Sequence, residues 1–196
     1  LAHLGATITA ERLRILSLLA DPLARSYQAV APGSAPAAVG YASSWWDASA
    51  LITTSAPPPD LNDLRDALLT AMAARERDEL DRGMTLVGPQ RDDLLFTLGD
   101  LPVKGYASHG ESWSVALALR LASYRILADG LENGGDPVLL LDDVFAELDE
   151  QRRLRLAELV EPAEQVLVTA AVAADVPAAL RGRSLSVVRN GESEVS

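Results

Sequence analysis

Two adjacent carboxylates, Asp142 and Asp143, follow the aliphatic run Val138-Leu139-Leu140-Leu141. Four aliphatic residues in a row suit a parallel strand buried on both faces. In open α/β sheets, ligands bind beyond the carboxyl ends of such strands. A carboxylate at that point can hold Mg²⁺ directly or through water while its neighbour orients an attacking water, the division of labour used by phosphate-hydrolysing enzymes. The plainer assignment is an acidic residue that only caps the following turn. A metal-dependent nuclease or phosphatase using both carboxylates on one ion is the weaker idea, because adjacent strand residues point to opposite faces unless the strand has already ended.

Two further constellations flank this pair. Downstream, Phe145-Ala146-Glu147-Leu148-Asp149 leads into a helix whose start carries Arg152, Arg153 and Arg155, and Asp149 suits the cap of that helix. Upstream, Ser108-His109-Gly110-Glu111 opens a long apolar helix. Ser at the cap with Glu three residues later is the pattern of a capping box. The same residues also suit phosphate, since a glycine admits close backbone approach and a helix start presents free amides and a positive dipole end. His109 by itself reads as an exposed loop residue.

The elements that must hold these groups divide the chain by texture. Residues 1–83 read as mainly helical. A first helix carries Leu13, Ile15, Leu16, Leu18 and Leu19, and Asp21-Pro22 predicts a restart that takes Leu23, Tyr27 and Val30 inward. Residues 31–38 read as a loop and Val39 to Ser43 as a short strand, with Trp45 and Trp46 as core anchors or, less favoured, an exposed patch. The prolines at 57–59 stop regular structure, and Asp60 caps a helix to about Arg82, closed by Gly83. Leu61, Leu64, Leu68 and Met72 form its apolar face, and Arg75 with Glu79 and Asp78 with Arg82 are spaced to pair on its wet face.

Residues 84–196 read as α/β. Thr85-Leu86-Val87, Leu94 to Leu98 and Leu101 to Val103 are short apolar runs, with Gly99-Asp100 suited to a type II′ hairpin turn. A helix from about Glu111 to Ala128, a turn at Gly134-Gly135 and the strand Val138 to Leu141 follow. Then come a helix near Glu150 to Val160, a strand Val166 to Thr169, a short helix around Val176 to Leu180 and a last strand Ser184 to Arg189, closed by Asn190-Gly191. Helix alternating with strand signals a parallel sheet with crossovers.

Composition removes several functions. The chain of 196 residues has no cysteine, so disulfides, thiolate metal sites and cysteine nucleophiles are excluded. Its net charge of -11 argues against this segment alone binding a phosphate backbone. Apolar runs stop well short of a membrane span and no signal-peptide pattern opens the chain, so a cytoplasmic protein is expected. Lys104 is the sole lysine and follows Pro102-Val103, so no G-x-x-x-x-G-K-S/T phosphate loop is present. With Leu1 first and no methionine before Met72, a piece of a longer protein is expected.

Taken together, these stretches resemble a known family. Ser108-x-Gly110-Glu111 is similar to the signature motif of ABC-type ATPases, Leu139 to Asp143 to their Walker B strand, and Ala146-Glu147-Leu148-Asp149 to their D-loop. Gly88-Pro89-Gln90-Arg91-Asp92-Asp93 resembles a stretch of the RecF family, bacterial recombinational-repair proteins of the structural-maintenance-of-chromosomes type, which also carry Asp-Asp where most ABC proteins have Asp-Glu. Gln90 departs from the histidine common there. The resemblance is specific from about Thr85 to Val168. It implies a partial ABC-type ATPase lobe, a parallel sheet with helices, preceded by a mainly helical lobe. The chain would be the carboxyl-terminal part, its sheet incomplete and its apolar surface partly uncovered.

The resemblance also implies roles. Asp142 would bind the Mg²⁺ of Mg-ATP and Asp143 would polarise the attacking water. Ser108, Gly110 and Glu111 would contact the γ-phosphate of ATP held by the opposite subunit, so that ATP closes a homodimer with Asp149 at its interface. Thr169 occupies the position of the switch histidine of many ABC proteins, a departure that fits slow hydrolysis. Arg91, Asp92 and Asp93 fit the family pattern, with an intramolecular Arg/Asp pair as the plain alternative. The family's function would be binding of gapped or junction DNA, mainly through the missing half, and loading of RecA with RecO and RecR. The alternative is an ABC-like interaction module that does not bind ATP.

Overall fold

The computed structural model describes residues 1–46, 59–130, 135–180, 182–189 and 193–195. The chain packs as two units, Leu1–Gly130 and Leu131–Ser196. Within the first, segments after Gly83 add to the packing of the helices before it.

In the first unit, helix α1 (Ala2–Val30) packs against strand β1 (Ala37–Ala42), helix α2 (Leu61–Arg82) and helix α4 (His109–Asp129). The restart expected at Asp21-Pro22 does not occur, and Pro22 lies inside one continuous helix. An interior proline costs about 3 kcal/mol. Leu13, Leu16 and Leu19 before it and Leu23, Tyr27 and Val30 after it are all buried on one face. Each such side chain contributes roughly 1.5–3 kcal/mol, enough to hold the helix together across the proline. This stripe meets Val39 and Tyr41 of β1 and Val115, Ala118 and Ala122 of α4. A second cluster joins Ala2 and Ala6 to Trp45, Leu64, Leu68 and Val87, so Trp45 is a core anchor as expected.

Helix α2 begins and ends where its sequence signals lie. Asp60 accepts the Asn62 N–H at 2.7 Å, and Gly83 takes the left-handed conformation at φ 63°. Its apolar face is narrower than expected, with Leu64 and Leu68 buried and Leu61 exposed. Arg75 pairs with Asp78 at 3.2 Å, whereas Glu79 accepts the N–H groups of Leu86 at 2.6 Å and Val87 at 3.3 Å. Thr85 to Val87 is thus an irregular segment pinned by a carboxylate. The expected hairpin forms: β2 (Asp93–Leu98) pairs antiparallel with β1 and with β3 (Leu101–Pro102), and Gly99 has the positive φ of 57° that its turn requires. A short turn, α3 (Val103–Tyr106), leads to Ser108.

In the second unit, β4 (Leu139–Asp142) pairs in parallel with β5 (Val166–Thr169), connected through helix α5 (Glu150–Val160). Leu141, Phe145, Leu148, Leu156, Ala157 and Val160 are buried. The strand expected to be buried on both faces is covered on one, since Leu141 is 4% exposed but Leu140 is 67% exposed and its register partner Leu167 50%. The short helix near Val176 is two single 3₁₀ turns, Ala173–Asp175 and Ala178–Leu180. The last strand is shorter than expected, and β6 (Val187–Arg189) joins β7 (Ser193–Val195) as an antiparallel hairpin rather than a further parallel strand. Pro57, Pro58, Gly134, Asn190 and Gly191 lie outside the described residues.

Candidate functional site

In the second unit, the ends of β4 and β5 bring three of the expected residues together. Parallel register sets Asp142 opposite Thr169. The Thr169 hydroxyl donates to Asp142 Oδ1 at 2.5 Å, and the Asp143 N–H is shared between the Thr169 hydroxyl oxygen at 3.0 Å and its carbonyl at 3.2 Å. Asp143 has φ 51° and ψ 24°, the one positive φ outside glycine among the described residues. The strand has therefore ended between the two carboxylates, and the strict alternation that would send them to opposite faces no longer applies.

Both aspartates are exposed. An exposed carboxylate beside a hydroxyl is an all-oxygen donor set that fits Mg²⁺, an ion that keeps several waters and takes only one or two carboxylates plus substrate phosphates. Of the two, Asp142, at the strand end, could hold such an ion.

Asp149 caps α5, its carboxylate accepting the Arg152 N–H at 2.9 Å and lying 3.5 Å from the Arg152 guanidinium. Arg153 turns instead to Asp175 at 2.8 Å and to the Leu148 carbonyl. These contacts fix the loop between β4 and α5 at its far end.

In the first unit, Ser108 and Glu111 form the full capping box. Glu111 accepts the Ser108 N–H at 2.8 Å and its hydroxyl at 2.7 Å, and the Glu111 N–H reaches the Ser108 hydroxyl at 3.3 Å. Gly110 stands in the first turn, its carbonyl accepting from Ser114 at 2.8 Å. His109 is exposed but belongs to the helix, not to the loop before it.

The structure also shows a cluster that no local pattern announced. Arg91 donates twice to the Thr85 carbonyl, at 3.0 and 2.7 Å, rather than pairing with either neighbouring aspartate. Asp92 Oδ2 accepts the Tyr41 hydroxyl at 2.7 Å and the Trp45 indole N–H at 3.2 Å. Arg12 reaches the Pro89 carbonyl at 2.6 Å and the Tyr41 hydroxyl at 3.4 Å. A cavity of about 340 Å³ opens between Arg12, Ile15, Leu16, Tyr41 and Asp92. The only signal in the sequence was the Gly88-to-Asp93 stretch itself.

A parallel pair ending in Asp142, a capped acidic loop after it and a helix opened by Ser-x-Gly-Glu make this part of an ABC-type ATPase lobe, a mixed fold of parallel sheet and helices. No protein-family model matches the chain. Individual proteins do. It is 56% identical to the DNA replication and repair protein RecF of Kineococcus radiotolerans over 186 residues, 93% of this chain and 48% of that protein. It is 53% identical to RecF of Streptomyces avermitilis over 192 residues, 95% and 47% of the two chains. Among solved structures, the recombination mediator protein RecF-ATPrS in the RecFOR pathway matches with a TM-score of 0.74 at 25% identity, over 100% of this chain and 48% of that one. RecF-ATP matches at 0.70 and 25%, over 88% and 43%. The chain is thus similar to RecF proteins over most of its own length. It spans about half the length of the curated relatives it matches.

Proposed function

We propose that the chain contributes the signature, magnesium-binding and D-loop segments of a RecF-type DNA-repair ATPase, the phosphate loop being supplied by a segment outside these residues. The observation that supports this most is the end of β4, where Asp142 sits at the carboxyl edge of a parallel pair and Asp143 leaves the strand immediately after it. In this reading Asp142 holds the Mg²⁺ of Mg-ATP and Asp143 orients the attacking water. Ser108, Gly110 and Glu111 meet the γ-phosphate of the opposite subunit across an ATP-closed homodimer, with Asp149 at the interface. A helix start with a glycine in its first turn is suited to that task, because its amides and dipole favour phosphate.

The same reading gives the wider role. The dimer binds gapped DNA or a single-strand/double-strand junction in the cytoplasm, and with RecO and RecR it helps load RecA. Solved RecF structures described with ATP and within the RecFOR pathway support it. With a net charge of -11, this chain leaves most DNA contact to the part carrying the phosphate loop. No helix of the described residues is long and apolar enough to cross a membrane.

The test is Asp142→Asn in the protein completed with its phosphate loop. Loss of a group that anchors charge in the transition state should lower ATP hydrolysis roughly 100-fold or more. Hydrolysis at the unsubstituted rate contradicts the assignment. Absence of nucleotide binding in the unsubstituted protein, with partner binding intact, favours the non-enzymatic module instead.

A further inference from the structure

We infer that Thr169 is a positioning residue for the hydrolytic site, holding Asp142 and Asp143 in place, and that it does not itself read the γ-phosphate. This rests on the ATPase reading above. A hydroxyl has one proton to give. Thr169 gives it to Asp142 Oδ1 at 2.5 Å, and an ionised acceptor makes this the stronger kind of hydrogen bond. A phosphate oxygen would need the same proton. The hydroxyl oxygen and the Thr169 carbonyl meanwhile share the Asp143 N–H, at 3.0 and 3.2 Å.

Asp143 needs such a hold. The left-handed region is disfavoured for residues with a Cβ, and Asp143 alone among the described non-glycine residues occupies it. Strained backbone of this kind persists only where the surroundings over-determine it. Parallel register delivers Thr169 directly opposite Asp142, so one side chain at the tip of β5 fixes a carboxylate oxygen of one aspartate and the backbone of the next. Thr169 thus arranges the two carboxylates at this strand end.

The test compares Thr169→Val, which keeps the shape and removes the hydroxyl, with Thr169→Ser, which restores it. In the protein completed with its phosphate loop, Thr169→Val should lower kcat by roughly 10-fold to 100-fold, the usual effect of losing a group that orients a metal ligand. With Mg²⁺ held at saturation, KM for ATP should stay within about twofold, because no contact with the nucleotide itself is lost. Thr169→Ser should recover most of kcat. On the present chain, amide hydrogen exchange at Asp143 should quicken by roughly fivefold in Thr169→Val, the loss of one ordinary hydrogen bond. If Thr169→Val does not fold, Thr169→Ala carries the same readings. A raised KM at unchanged kcat would identify a nucleotide contact and overturn the inference, as would unchanged kcat with unchanged exchange. Asp142→Asn run alongside separates the failures. If it too hydrolyses ATP at the full rate, the ATPase reading has failed, whereas its loss beside an intact Thr169→Val sinks the positioning role alone.

Discussion

Tyr41, near the end of the edge strand β1, gives its hydroxyl hydrogen to Asp92 at 2.7 Å, tying that strand to the segment that leads into β2. Burial, and after it the bond to the Asp92 carboxylate, raise the Tyr41 pKa above its usual 10.0. The unfolded chain therefore releases this proton at a lower pH than the folded one.

Tyr41 contributes stability that is fully present below about pH 10 and is lost as pH rises from there through the raised folded value. Urea melts of the chain should show a fall in stability beginning near that pH. Tyr41→Phe should remove that part of the alkaline slope and cost about 1–2 kcal/mol at neutral pH, since Asp92 loses a buried donor. An unchanged alkaline slope in Tyr41→Phe contradicts the assignment.

Gly5 sets how closely α1 and α2 approach. A Cβ there would lie 2.6 Å from Cδ2 of Leu68, which is buried. Gly5→Ala should destabilise the first unit by about 1–3 kcal/mol through overpacking. Combined with Leu68→Ala, which opens space at the same point, the substitution should lose most of its effect, a coupling that a double-mutant cycle measures. Additive losses would place the strain elsewhere.

The capping box gives Ser108 a role before any nucleotide arrives. Ser108→Ala should lower stability by about 1 kcal/mol without ATP, as for other lost caps, whereas Glu111→Gln, which can still accept the Ser108 N–H, should lose less. Thermal unfolding of the nucleotide-free chain distinguishes them. Equal stability of Ser108→Ala and the parent chain would show that the cap carries no weight.

The sequence made the strong local signals plain and left the long-range pairings obscure. Asp60, Gly83, Gly99, Ser108 and Asp149 each act as their residue types suggest, because caps and turns are decided within a few positions. Pro22 misled, since its local penalty was outweighed by the apolar face that α1 presents on both sides of it. Helical spacing offers Glu79 to Arg75 as a partner, but two backbone amides beyond the helix compete better for its carboxylate. The Thr169 contacts with Asp142 and Asp143 depend on the register of two strands, which no single stretch encodes. The pairing of Asp92 with Tyr41 and Trp45 is likewise a product of the fold.

In the proposed dimer Asp142 of one protomer and Ser108 of another build one site, which mixing two inactive variants would detect. In the protein completed with its phosphate loop, Ser108→Arg and Asp142→Asn should each abolish ATP hydrolysis alone. Mixed in equal amounts, half of the dimers carry both variants, and each of these keeps one intact composite site, so hydrolysis should return to about a quarter of the parent rate. No recovery above the separate variants would contradict a site shared between subunits.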